Sequence, residues 1–203
     1  MRTPFRLAPL AFLFVLAAGC DTAADVLGID TVDVPLGSAG ASLAVSATPS
    51  ARAATVSRGG GSLPDVFLVQ SIKIAPADVS FTPTSASKGQ GPNGTVIVRL
   101  FLGGYPAGRA VLNIADNAVT GVNPPTITIG QVDSAELQAF INRLPAAQRP
   151  TLAAYSGKSA RQIAEAISAV VRSNSFEAVV AVEGTQGLTG TVTIERLTLG
   201  LDF

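Results

Sequence analysis

The chain has 203 residues, with 14 basic and 14 acidic side chains, no histidine, no tryptophan and a single cysteine. Balanced charge excludes a surface built for nucleic acid or an anionic membrane, and the lack of histidine removes the commonest general base and the commonest metal ligand. With 47% hydrophobic and 14% charged residues, the composition is that of a chain that folds around a real core rather than a disordered one.

Arg2 and Arg6 stand at the N-terminus, and residues 7–18 are all apolar, with one proline at Pro9. A basic start, a short apolar stretch and small residues at its end form a secretory signal peptide, since a membrane-spanning helix needs about 20 apolar residues. The small residues are Ala17, Ala18 and Gly19, and Cys20 follows directly. This stretch resembles the lipobox of bacterial lipoproteins. The resemblance covers residues 1–21 and implies diacylglyceryl transfer to the Cys20 sulfur. It also implies cleavage between Gly19 and Cys20 and acylation of the new amine, with palmitate as the expected kind of chain. Thiolate sulfur is the strong side-chain nucleophile that such a transfer needs. One acyl chain holds a protein only marginally and two or more hold it stably. The membrane is therefore the expected partner, through the lipid on Cys20, at the periplasm or elsewhere in the cell envelope. Asp21 resembles the inner-membrane retention signal of enteric bacteria, and inner and outer membrane are both left open by it. With Cys20 lipidated, no disulfide and no thiolate metal site can form.

Residues 20–30 read as a tether, and residues 31–203 as a single β-rich domain. Strands are expected at 31–35 and 42–47, with LGSAG between them as turn chemistry. The stretch 48–65, which contains GGG and two prolines, reads as a flexible loop. Strands follow at 66–75 and 79–84, then a polar, glycine-rich loop ending in Pro92-Asn93-Gly94. Further strands are expected at 95–102, 110–115 and 126–130, and Pro124-Pro125 must lie outside any central strand.

The apolar period then changes. Asp133 and Glu136 have capping-box spacing, and Leu137, Phe140, Ile141 and Leu144 line one face, which predicts a helix over about 133–145 ended by Pro145. A second helix, over about 159–173, starts at Ser159 with Gln162 at the box position. Its apolar stripe is Ile163, Ala166, Ile167, Val170 and Val171. Two strands close the chain, 177–185 and 191–203, with GTQGLTG between them as a hairpin loop. Val192 and Ile194 have the opposite parity to Leu197, Leu199, Leu201 and Phe203, so a bulge or break is expected near Glu195-Arg196. The fold class is mainly β or α+β: an antiparallel, β-sandwich-like domain with two helices packed on it.

Four patterns suggest chemistry. Tyr155 to Ser159 resembles the end of a phosphate-binding P-loop, but the required glycine is Leu152, so the motif fails and a turn followed by an N-cap remains. Ser156, Lys158 and Ser159 offer a serine–lysine pair, with Lys73 and Lys88 the only other lysines. Asp116 and Asp133 offer paired carboxylates without an aromatic sugar platform, and Glu177 and Glu183 read as the wet face of a strand. LTLGLDF resembles the last strand of an outer-membrane barrel, against which stand the missing aromatic girdle and the intervening helices.

No catalytic, cofactor-binding or metal-binding residues are assigned; the sites are Cys20 for lipidation and Gly19–Cys20 for cleavage. The leading expectation is a lipid-anchored envelope protein whose domain binds, scaffolds or displays. An envelope protein is a possible partner, and nucleic acid and metal are not expected. The alternative is an envelope hydrolase using carboxylates or a Ser/Lys pair.

Overall fold

A computed structural model describes residues 31–36, 42–57, 67–84, 93–173 and 175–202. Residues 1–30, where the signal peptide, the cleavage and lipidation sites Gly19 and Cys20 and the tether are expected, lie outside the described residues. Among the described residues there are twelve strands: β1 (Thr31–Pro35), β2 (Ser42–Val45), β3 (Ser50–Ser57), β4 (Leu68–Lys73), β5 (Val79–Pro83), β6 (Gly94–Leu102), β7 (Tyr105–Ala115), β8 (Ala118–Asn123), β9 (Thr126–Thr128), β10 (Ser175–Gly184), β11 (Gly190–Ile194) and β12 (Arg196–Asp202). Two α-helices accompany them, α1 (Ser134–Arg143) and α2 (Ala160–Arg172). The strands form three antiparallel sheets, in the orders β1-β12-β4-β9, β3-β10-β6-β7-β8 and β2-β11-β5.

The five-stranded sheet is covered on both faces, and its central strands show why. Unbroken apolar runs, residues 96–98 and 100–102 in β6 and 178–182 in β10, fill their middles, as strands buried on two sides require. Val98, Leu100, Val180 and Val182 point into the main core, which the other two sheets and α2 share. Phe101, Val179 and Ala181 point the other way, under α1. The two faces therefore belong to two separate apolar clusters. Helix α2 packs on β4 and β7 and fills the main core with Ile163, Ile167 and Val171. Buried Ser168 ties it to the sheet by accepting from the Val69 N–H (2.7 Å) and donating to the Ala164 carbonyl (2.6 Å).

The parity change at Glu195 is a change of sheet. β11 lies between β2 and β5, and β12 lies between β1 and β4. Val192 and Ile194 as well as Leu197 and Leu199 are buried, because Glu195 stands outside both strands and resets the side-chain phase. Its N–H donates to the Asp78 carbonyl (2.9 Å), and its carbonyl accepts from the Leu36 N–H (3.0 Å). Asp78 ends the short 3-10 turn at which the chain makes the same crossing in reverse, from β4 to β5. Arg196 spans the two crossings, with Asp33 at 3.5 Å and Asp78 at 2.9 Å. The inward face of the last strand is thus protein core.

Three expectations are corrected. Eight of the eighteen residues in the supposed loop at 48–65 are strand: residues 50–57 form β3, paired with residues 175–182 of β10. Its sequence, SARAATVS, is rich in small residues because the strand is an edge whose inner surface is mostly supplied by β10, with Val56 its one deeply buried side chain. Residues 58–65 lie outside the described set. GTQGLTG is not a hairpin loop, because β10 and β11 belong to different sheets; the connection buries Leu188 as it crosses. Strand β8 was not expected at all. None of its residues is fully buried, and what defines it is the tight turn before it, where Asp116 and Asn117 adopt φ of 50° and 67°.

Candidate functional site

The second apolar cluster is where charge and burial meet. Helix α1 starts at Asp133, whose carboxylate accepts from the N–H groups of Ala135 (2.9 Å) and Glu136 (3.0 Å). Leu137, Phe140 and Ile141 press onto Phe101, Val179 and Ala181 of the sheet, and Leu144 closes the far end. Arg99 lies in the same layer, one residue pair away from Phe101 along β6, and only 7% of it is exposed. Its guanidinium sits 4.9 Å from the centre of the Phe140 ring, within cation–π range. Arg143, at the last turn of α1, approaches the same ring at 5.7 Å and makes a two-pronged pair with Glu183 (3.1 and 2.6 Å).

Arg99 faces Arg109 directly across the β6–β7 ladder. Like charges directly opposite destabilise a sheet. One carboxylate answers both: Glu136 takes a hydrogen bond from Arg99 at 2.5 Å and stands 3.6 Å from Arg109. Another donor of Arg99 is less well served: its Nε–H is buried with no partner. Burial pushes the Arg99 guanidinium below its ordinary pKa; Glu136 opposes that, and Arg109 and Arg143 add to it. Arginine does not give up its proton in proteins, so Arg99 is a cation kept where a cation is costly.

A cleft of about 280 Å³ opens over this pair. Arg99, Arg109, Asp133 and Glu136 line it with charge, Thr128 and Gln131 add uncharged polar groups, and Phe101, Pro106, Ile127, Val132 and Leu137 are its main apolar lining. Its floor depends on Gly108. A methyl group there would collide with the Ile127 side chain at 2.0 Å, so only glycine lets β9 come this close to β7. The arrangement can hold a small ligand by an ion pair and apolar contact. It brings together no nucleophile with a base, and among the described residues no group of three or more acidic side chains converges as a metal site.

The patterns singled out in the sequence fall elsewhere. Ser159 is the N-cap of α2 and accepts from the Gln162 N–H, while Gln162 reciprocates with the Ser159 N–H, so the capping box is closed. Ser156 and Lys158 occupy the exposed turn before it, and Lys73 is exposed on β4; Lys88 lies outside the described residues. Asp116 sits in the β7–β8 turn and Asp133 at the start of α1, on different elements. Glu177 is exposed as expected, but Glu183 is drawn into the pair with Arg143. Arg99 and Arg109 were missed. The available signal was an arginine in the middle of TVIVRLFL, a charge in an otherwise apolar strand.

The chain matches no family model, and neither a curated protein nor a solved structure is detectably similar to it.

Proposed function

We propose that this is a lipid-anchored cell-envelope protein, held to a bacterial membrane through acyl chains on Cys20, whose folded region is a binding module. The anchor rests on the lipobox-like run that ends at Gly19 and Cys20, behind a signal-peptide pattern. The binding role rests on one observation: the cleft in which buried Arg99 and exposed Arg109 face each other across two neighbouring strands. Proteins break local rules of charge placement chiefly at functional sites. A hydrolase would need a poised nucleophile or a carboxylate pair, and the cleft's carboxylates are engaged otherwise, Asp133 on the helix end and Glu136 on the arginines.

Metabolic labelling with radioactive palmitate tests the anchor. Wild type should take up label and sediment with membranes, and Cys20→Ser should do neither while keeping the same circular dichroism. Equal labelling of the two proteins would overturn the anchored reading.

A further inference from the structure

We infer that residues 130–152, which carry α1, form a strap that parts from the five-stranded sheet as one unit while the main core stays folded. Its ties to the rest of the chain decide this, whatever the cleft holds. The backbone fixes it at its two ends. Just before it the Ile129 N–H donates to the Gln70 carbonyl (2.9 Å), and just after it the Ala153 N–H donates to the Gly104 carbonyl (2.9 Å). Between those points, among the described residues, the strap's backbone–backbone hydrogen bonds all stay within the strap. Side chains make the remaining polar ties: Glu136 to Arg99 and Arg109, Arg143 to Glu183, and Gln148, whose side chain accepts from the Ala51 N–H (3.0 Å). Glu136 and Arg143 are about half exposed, so water competes for both ion pairs. Gly130 supplies a hinge, since its φ of 86° lies where glycine moves freely and other residues are strained.

The strap also closes over a cluster of its own. Phe140 is fully buried, yet it packs with Phe101, Val179 and Ala181 in a cluster separate from the main core. Parting the strap uncovers that face of β6 and β10 and leaves Leu100 and Val180, on the other face, packed. Arg99 favours the motion. Closed, its guanidinium lies 4.9 Å from the centre of the Phe140 ring with its Nε–H unpartnered. Open, water reaches it, which returns part of the cost of burying a cation. The cleft is the front of the same seam: Val132 and Glu136 come from the strap, and Arg109 and Ile127 from the strands. Opening therefore reshapes the cleft, and segments that move in this way come from the least stable units of a fold.

Hydrogen-exchange mass spectrometry tests this on the full chain in detergent, over urea concentrations below the unfolding transition. In the wild type, residues 134–144 should exchange together, about tenfold or more faster than residues 96–102 and 178–182, and with a weaker dependence on urea. Two substitutions then separate the units. Ile167→Ala, in the main core, should speed exchange of the two strands by about thirtyfold or more and leave 134–144 within about twofold of wild type. Phe140→Ala should speed 134–144 by about tenfold or more. Arg99→Met, which removes the buried charge, should slow 134–144 several-fold; faster exchange there would overturn the part given to Arg99. Exchange of 134–144 at the rate and urea dependence of the core strands, in the wild type alone, would overturn the strap. So would equal acceleration of all three segments by Ile167→Ala, because α1 would then open only when the whole domain unfolds.

Discussion

The two helices begin with the same local signal, a capping residue followed three positions later by Glu or Gln, and they use it differently. In α2 the box closes: Ser159 and Gln162 satisfy each other's backbone, and the helix drives Ile163, Ile167 and Val171 into the main core. In α1 the box opens. Asp133 caps, but Glu136 leaves its backbone partner and goes to Arg99 on the sheet. Helix α2 uses its signal for its own stability, and α1 lends its signal to a tertiary contact. A local motif states which groups are able to pair; the neighbouring layer decides which of them do. On the α2 side the arginine with a buried, unpartnered Nε–H is Arg172, half-buried at the end of the helix and bonded to the Phe67 carbonyl, whereas on the α1 side it is Arg99, almost wholly buried in mid-strand.

The sharpest break in this comparison is on the stable side. Deleting residues 199–203 removes most of β12 from between β1 and β4, with Leu199 fully buried. At about 1.5–3 kcal/mol for each buried side chain, plus the loss of two ladders, the cooperative unfolding transition should vanish. Thermal circular dichroism checks it, and a retained transition would mean that the main core does not depend on its central strand.

Next in size is Ile167→Ala, at a position with no exposure. It should cost about 2–5 kcal/mol in urea unfolding. An unchanged midpoint would mean that α2 contributes nothing to the core. Ser159→Ala opens the second capping box and imitates the state of the first. The expected cost is about 0.5–2 kcal/mol, with faster amide exchange confined to the first turn of α2. Uniform exchange changes along the chain would show that the box is not a local device.

The smallest effect expected is the most telling. Arg99→Met keeps the volume under Phe140 and removes the buried charge, its unpartnered Nε–H and its repulsion with Arg109. Stability should hold or rise by about 1 kcal/mol. A loss of several kcal/mol would make Arg99 a structural keystone and remove the contrast between the two faces.

What the sequence by itself determined is everything with a period or a cap. Helix 159–173 was legible to within a residue, because its stripe and both members of its box are local. Strands 31–35, 79–84 and 95–102 were legible by alternation, and the break at Glu195 by its parity. Tertiary structure decided which strands share a sheet. The β10–β11 connection looks like a hairpin, and β3 looks like a loop, because pairing partners far apart in sequence leave no mark on the segment itself. It also decided the site. Arg99 and Arg109 are ten positions apart with a turn between them, and Glu136 lies on another element; nothing in their spacing says that they meet. The reason is physical. Local propensity acts over one turn or one strand, but the cost of burying a charge, and the carboxylate that offsets it, exist only once two layers have packed.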